Sequence, residues 1–167
     1  MGADAVQPRL ATPADVRAVE ALVAAAYGHY VTRMGIPPLP MVDDYAARVA
    51  AGQAWVVDGP AGPGGGGGPD VAGLAGLLVV EQRPDHLYVD NVAVAPACQG
   101  AGLGRRLLAF AQELAAAAGL PELRLVTNER MTENRALYAR LGWTETGRVT
   151  IAGRHAVRFA KPVAADR

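Results

Sequence analysis

From Gly104 to Ala118 the apolar residues Leu107, Phe110, Ala111, Leu114 and Ala118 recur at intervals of three and four, with Leu103 leading in and Gly119 closing the run. That is the stripe of an amphipathic helix ended by a glycine cap. A shorter period governs "HLYVDNVAVA", where Leu87, Val89, Asn91 and Ala93 alternate with Tyr88, Asp90, Val92 and Val94. A strand with those two faces is expected, and Pro96 ends it. "QAWVVD" and "VAGLAGLLVVEQ" are β-compatible apolar runs, joined by "GPAGPGGGGGP", whose glycines bury nothing and whose prolines deny ladder hydrogen bonds. They read as a hairpin with a flexible glycine-rich loop at about 59–70.

The remaining elements follow from caps and breakers. Thr12 stands as an N-cap, Pro13 takes the first helical position and Asp15 complements the dipole, so a first helix is expected from Pro13 to about Tyr30. After "MGIPPLP", a short second helix is expected over Met41–Ala51, ahead of Gly52. "LRLVTN" reads as a strand, "TENRALYARLG" as a helix stopped at Gly142, and "WTETGRVTIAGRHAVRFAKP" as two strands around a turn near Ala152 and Gly153.

Composition narrows the classes of function. At 167 residues, about half apolar, one globular domain accounts for the chain. The 16 basic residues balance the 16 acidic ones, and all but Lys161 are arginines scattered along the sequence, so nucleic acid is not expected as a partner. A lone cysteine, Cys98, offers no disulfide framework, no Cys/His spacing suits a metal, and no secretory or membrane-spanning segment is evident. A cytoplasmic home is the expectation.

Glycines 100, 102 and 104 lie between a strand end and a helix start, where unpaired amides and the positive end of the helix dipole suit a phosphate or diphosphate. A P-loop would need a lysine after the glycines, and none is there. A dinucleotide fingerprint would need a glycine where Arg105 stands. The glycine tract Gly64–Gly68 likewise lacks a following Lys-Ser/Thr or a helix, and reads as loop.

Val92-Ala-Val94 followed by Gln99-Gly-Ala-Gly102-Leu-Gly104-Arg105, together with the downstream "NRALYARLGW", resembles the GCN5-related N-acetyltransferase (GNAT) family over roughly residues 9–163. The resemblance implies an α/β (α+β) fold in one domain, with a central mixed, mostly antiparallel β-sheet flanked by helices. It implies acetyl-CoA as co-substrate, its diphosphate on the amides of Gly100, Ala101, Gly102, Leu103, Gly104 and Arg105 beside Gln99, and its pantetheine arm along Val92, Ala93 and Val94. It implies Tyr138 as the acid toward the departing thiolate. Many members carry an asparagine seven residues before that tyrosine; here Met131 holds that position, and Asn134 is the cofactor-side candidate.

Direct transfer needs an uncharged amine. At pH 7 a lysine-like amine costs about 4.6 kcal/mol to deprotonate and an α-amine about 1.4 kcal/mol. Asp90 is the candidate base, with Glu81 and His86 as alternatives. Family resemblance places the acceptor wall in "YGHYVTRMGIPPLPMVDDY", giving Tyr27, Tyr30, Asp44 and Tyr45 as acceptor candidates and a small amine or amino-acid-like metabolite as the acceptor. A non-catalytic acyl-CoA-binding sensor and a peptide or protein N-terminal acetyltransferase are the alternatives. Nothing adjacent marks Cys98 as activated. The edge exposed by the last hairpin could support a homodimer.

Overall fold

The computed structural model describes residues 7–59 and 73–164. Except for Gly59, the expected glycine-rich loop lies outside them. One seven-stranded sheet has the order β1-β2-β3-β4-β5-β7-β6. Its strands are β1 Arg9–Leu10, β2 Ala54–Asp58, β3 Leu74–Gln82, β4 Leu87–Val94, β5 Glu122–Asn128, β6 Thr144–Ile151 and β7 Arg154–Pro162. Only the β4–β5 pairing is parallel; every other neighbouring pair is antiparallel. Helices α1 (Val16–Met34), α2 (Tyr45–Ala50), α3 (Leu103–Ala117) and α4 (Thr132–Arg140) flank it.

Three boundaries differ from the sequence reading. β1 is two residues long, too short to show a period. α1 follows a 3-10 turn at Pro13–Asp15 and continues past Tyr30 to Met34, where Gly35 adopts φ 77° and donates its amide to the Val31 carbonyl. α2 starts at Tyr45 rather than Met41, because Leu39–Val42 forms a separate 3-10 turn and the Asp44 side chain caps the helix by accepting from the Ala47 amide.

β3 is buried on both faces, which is why "LLVV" does not alternate in polarity. Leu77 and Val79 pack with Val19 and Val23 of α1, while Leu78 and Val80 pack with Leu107 and Ala111 of α3. Gly76 sets how close α3 can lie: a Cβ there would come within 3.0 Å of Leu107 and 3.2 Å of Leu103. Contact without that Cβ brings the first turn of α3 down onto β3, beside the end of β4.

The strict alternation expected for β4 is broken. Val79 of β3 pairs with Asn91 and Val80 with Val89, so Asp90 is an extra residue, a β-bulge. The bulge exchanges the faces: Leu87 and Val89 join the α3-side core, yet Ala93 joins the α1-side core, and Val92 and Val94 pack on the α3 side. Asn91 and Ala93 therefore do not continue the face of Leu87 and Val89, and Asp90 is not simply in line with Val92 and Val94.

The start of the chain is tied down by charge. Arg9 pairs with Asp15 at 2.8 Å and Asp58 at 2.9 Å, and Asp15 accepts from the Thr12 amide at 2.7 Å. Its hydrogen bonds from Arg9 and then Thr12 outweigh burial and bring the Asp15 pKa down to about 2. A depressed carboxylate pKa stabilises the fold above the unfolded value, and that contribution disappears as pH falls through the folded one. Asp15→Asn is expected to cost about 1 kcal/mol at pH 7, with the difference closing between pH 4 and pH 2 in denaturant titrations.

Candidate functional site

β4 and β5 stay paired only over Leu87–Val89 and Leu123–Leu125. Beyond the bulge the two strands part, and β5 continues against β7 alone. A cavity of about 340 Å³ occupies the opening. Asp90, Asn91 and Val92 line it from β4, Val126 to Asn128 from β5, Asn134 and Tyr138 from α4, and Pro38, Leu39, Pro40 and Val42 from the α1–α2 connection. The parting also leaves the outer edge of β4 without a strand partner. Val92 and Val94 carbonyls, two residues apart and so on the same edge, are met instead by the Tyr27 hydroxyl at 3.0 Å and the Gln99 side-chain amide at 3.2 Å.

Asn91 fastens the bulge to the helices. Only 3% exposed, it accepts from the Tyr27 hydroxyl at 2.7 Å and donates to the Tyr45 hydroxyl at 3.1 Å, while Tyr45 in turn donates to the Pro40 carbonyl. One amide thus joins β4, α1, α2 and the connection that walls the cavity. Burial pushes the Tyr27 and Tyr45 phenols well up, so both remain neutral donors.

Charge gathers on the α2 side. Arg48 of α2 pairs with Asp43 at 2.9 Å and Asp90 at 3.2 Å. Burial raises the Asp90 pKa, and Arg48 opposes that rise without cancelling it. The carboxyl is thereby a stronger base than an exposed aspartate. Across the cavity, burial pushes the Tyr138 pKa up to about 12. Its ring packs on Trp143 and Phe159, and its hydroxyl has no hydrogen-bond partner among the described residues. Met131, Asn134 and Tyr138 all line the same wall, with the Asn134 amide 3.6 Å from the Met131 sulfur.

The glycine turn has the geometry of an anion cradle. Gly100 and Gly102 adopt φ 87° and 84°, and Gly102 caps α3 from the left-handed region. Among the described residues the amides from Gly100 to Arg105 meet no backbone acceptor, and the first ladder bond of α3 runs from the Arg106 amide to Gly102. A Cβ at either glycine would touch nothing within 4 Å. Backbone conformation, rather than crowding from the protein, is what requires glycine there. Arg105 is exposed beside this turn, and Ala101 and Leu103 supply its backbone between the glycines.

The β6–β7 hairpin reaches over one end of the cavity. Arg154, at the tip of the β6–β7 hairpin, donates to the Pro37 carbonyl through Nη2 at 2.7 Å and Nε at 3.2 Å. Ile151 and Arg154 face the cavity from this hairpin, opposite Leu39 and the 61% exposed Val42. The lip is therefore largely apolar, with carboxylates farther along the wall.

Of the acceptor candidates, Tyr27 lines the cavity. Tyr30 instead reaches Glu133 at 3.3 Å, Tyr45 serves the Asn91 network, and Asp44 is the cap of α2; its neighbour Asp43 faces the cavity. Glu81 bonds Arg83, and His86 lies 2.7 Å from Asp85, both away from the cavity lining. Cys98 is half-buried against the α3-side core. Asn91 and Arg48 were missed as site residues. Two adjacent polar residues inside an otherwise apolar strand, Asp90-Asn91, were the available signal.

The Acetyltransferase (GNAT) family model matches residues 38–143, which takes in the β4 edge, the glycine turn and Tyr138. The chain belongs to the GNAT family. A mouse N-alpha-acetyltransferase 80 is 37% identical over 81 residues, 48% of this chain but 24% of that protein, so this chain spans a minor part of that relative. The paiA N-acetyltransferase of Thermoplasma acidophilum, in complex with coenzyme A, shares the fold at TM-score 0.72 and 10% identity, over 91% of this chain and 96% of that one. The ribosomal-protein-S18-alanine N-acetyltransferase of Escherichia coli superposes at TM-score 0.68 with 18% identity, over 96% of each chain.

In this GNAT chain no described helix is long and apolar enough to cross a membrane, and the described residues hold no His/Cys/Asp/Glu cluster suited to a metal. Asn91→Ala is expected to cost about 1–2 kcal/mol in chemical denaturation, because it empties a buried site and removes one of the two hydrogen bonds of each tyrosine hydroxyl, Tyr27 keeping the Val92 carbonyl and Tyr45 the Pro40 carbonyl. A loss below about 0.5 kcal/mol would show that the network does not hold the bulge.

Proposed function

We propose that this GNAT chain is an acetyl-CoA-dependent N-acetyltransferase whose acceptor is a primary amine, either a small amine or an amino-acid-like metabolite. The observation that carries this is that Asp90 and Tyr138 line one and the same cavity at the β4–β5 opening. The diphosphate of acetyl-CoA is assigned to the amides of Gly100 to Arg105, with Gln99 and Arg105 beside it. The pantetheine arm follows the free edge of β4 over Val92 to Val94, and Asn134 serves the cofactor side.

In the proposed ternary complex the neutral amine nitrogen attacks the thioester carbonyl carbon, and Asp90 takes the amine proton directly or through water. The C–S bond then breaks and coenzyme A leaves as a thiolate. A phenol near 12 is a poorer acid than a thiol near 8.5, so complete transfer from Tyr138 is uphill by about 5 kcal/mol. Tyr138 acts by donating a hydrogen bond to the sulfur as its charge develops, and solvent supplies the final proton.

The modest volume of the cavity and the Arg154–Pro37 contact across one end of it favour a small acceptor, since a peptide would need a longer trough. A peptide N-terminus is the second reading, favoured by the partial match to an N-alpha-acetyltransferase. Thiol release from acetyl-CoA, measured against small amines, amino acids and short peptides, separates them. Release with small amines supports the first reading, release with peptides alone the second, and micromolar cofactor binding with no release would leave an acyl-CoA sensor.

Two substitutions test the assigned halves of the site. Tyr138→Phe is expected to lower kcat by about 10–100-fold while acetyl-CoA affinity changes less than threefold, and unchanged turnover removes the role. Gly102→Val forces a β-branched residue to φ 84° and is expected to weaken coenzyme A binding at least tenfold by calorimetry. Gly104→Ala, whose Cβ meets only Val94 at 3.7 Å, is the folding control.

A further inference from the structure

Arg48 lies in the last turn of α2, and its guanidinium is divided among four groups. Nε donates to Asp43 Oδ2 at 2.9 Å and Nη1 to Gln53 Oε1 at 3.0 Å; Nη1 is also 3.7 Å from Glu81 Oε2, and Nη2 is 3.2 Å from Asp90 Oδ2. Arg83 also binds Glu81, at 3.0 Å. Two guanidinium groups thus face three carboxylates. Asp90 Oδ2 forms an ion pair with Arg48 Nη2 at 3.2 Å, neither carboxylate oxygen has a hydrogen-bond partner among the described residues, and the side chain lines the cavity.

We infer that Arg48 is the positioning residue of this site: its guanidinium, itself held by Asp43 and Gln53, is set as an ion pair against Asp90 Oδ2, keeps that carboxylate ionised among neighbouring carboxylates, and leaves it open to the cavity to accept the amine proton. This rests on the reading of Asp90 as the base. The groups facing Asp90 are Arg48 and Asp43 from α2 and the segment before it, Glu81 and Arg83 from the end of β3, and the phenols of Tyr27, Tyr45 and Tyr88. Of these, Arg48 is the cation in contact with Asp90; Arg83 acts across Glu81. Removing Arg48 leaves a partly desolvated carboxyl beside two like charges, a combination that favours protonation. The guanidinium is also committed to these acids, so it is not the group that grips an acceptor carboxylate.

The sign of the effect is fixed. A base works only when deprotonated, so its loss of activity on the acid side follows its own titration. Arg48→Met moves the Asp90 titration to higher pH, and Asp43→Asn, which removes a like charge, moves it to lower pH. Arg48→Lys keeps a charge but not the fork, and holds the midpoint nearer the wild-type position.

The test needs no acceptor in its first arm. Carbon-13 carboxyl NMR of aspartate-labelled protein, with Asp90→Asn identifying the resonance, follows the Asp90 midpoint in the wild type, Arg48→Lys, Arg48→Met and Asp43→Asn. An upward shift in Arg48→Met is expected. Should that variant fail to fold, a downward shift in Asp43→Asn together with a near-native midpoint in Arg48→Lys carries the same conclusion. A midpoint that does not move in folded Arg48→Met, or moves the other way in Asp43→Asn, overturns the inference.

The second arm measures kcat against pH with the fastest small amine of the thiol-release panel, held fixed for every variant so that its own ionisation is common to all. Arg48→Met is expected to lose about tenfold at pH 6.5 and less than about threefold at pH 9. An equal loss at both pH values would mark Arg48 as merely structural and overturn the inference. Wild-type turnover in Asp90→Asn would instead overturn the base assignment itself, whatever the NMR midpoints show.

Discussion

The extra residue in β4 is the constraint on which the rest of the site depends. β4 is paired with β5 up to that residue, and from there on no ladder hydrogen bonds fill the space between Asn91 and Thr127. With the extra residue, the strand twists away, its outer edge is left for side chains, and the gap becomes a cavity. An open edge inside a sheet costs unpaired backbone groups, so something must hold it in place. Asn91 does so by satisfying both its own amide and the Tyr27 and Tyr45 hydroxyls at once. A single buried polar side chain therefore links the sheet to both helices on that face.

The same bulge explains how two neighbouring residues serve different purposes at one place in the structure. Asn91 points into the α1–α2 packing, while Asp90 lies on the cavity wall against Arg48. On a regular strand adjacent residues also point apart, but one would have been carried into the α3-side core. That residue is Asn91, whose amide would there have lost the Tyr27 and Tyr45 hydroxyls it now pairs with.

Much of this was legible in the chain itself. The three-and-four spacing of Leu107, Ala111 and Leu114, the glycine turn before it and the helix carrying Tyr138 all stand where the sequence puts them, because each is set by local rules of period and capping. What escaped was non-local. Period-two reasoning assigned Asn91 to the face of Val89, since a bulge is visible only once the partner strand's register is known. Asp44 and Tyr45 sit in the segment expected to wall the cavity, yet a helix that starts at Tyr45 rather than Met41 gave one to capping and the other to the Asn91 network. Arg48 carried no signal at all: its importance comes from residues on β3 and β4 that are remote in sequence.

The clasp between Arg154 and Pro37 has an evolutionary side. It is made to a main-chain carbonyl, so it does not depend on which side chain stands at that point of the loop. Leu39 and Val42 line the cavity nearby without taking part in the clasp, so a change in their size or polarity would leave the Arg154–Pro37 contact in place. Diversification of the molecules admitted is thereby decoupled from upkeep of the chamber, and new preferences can arise without first surrendering the old architecture.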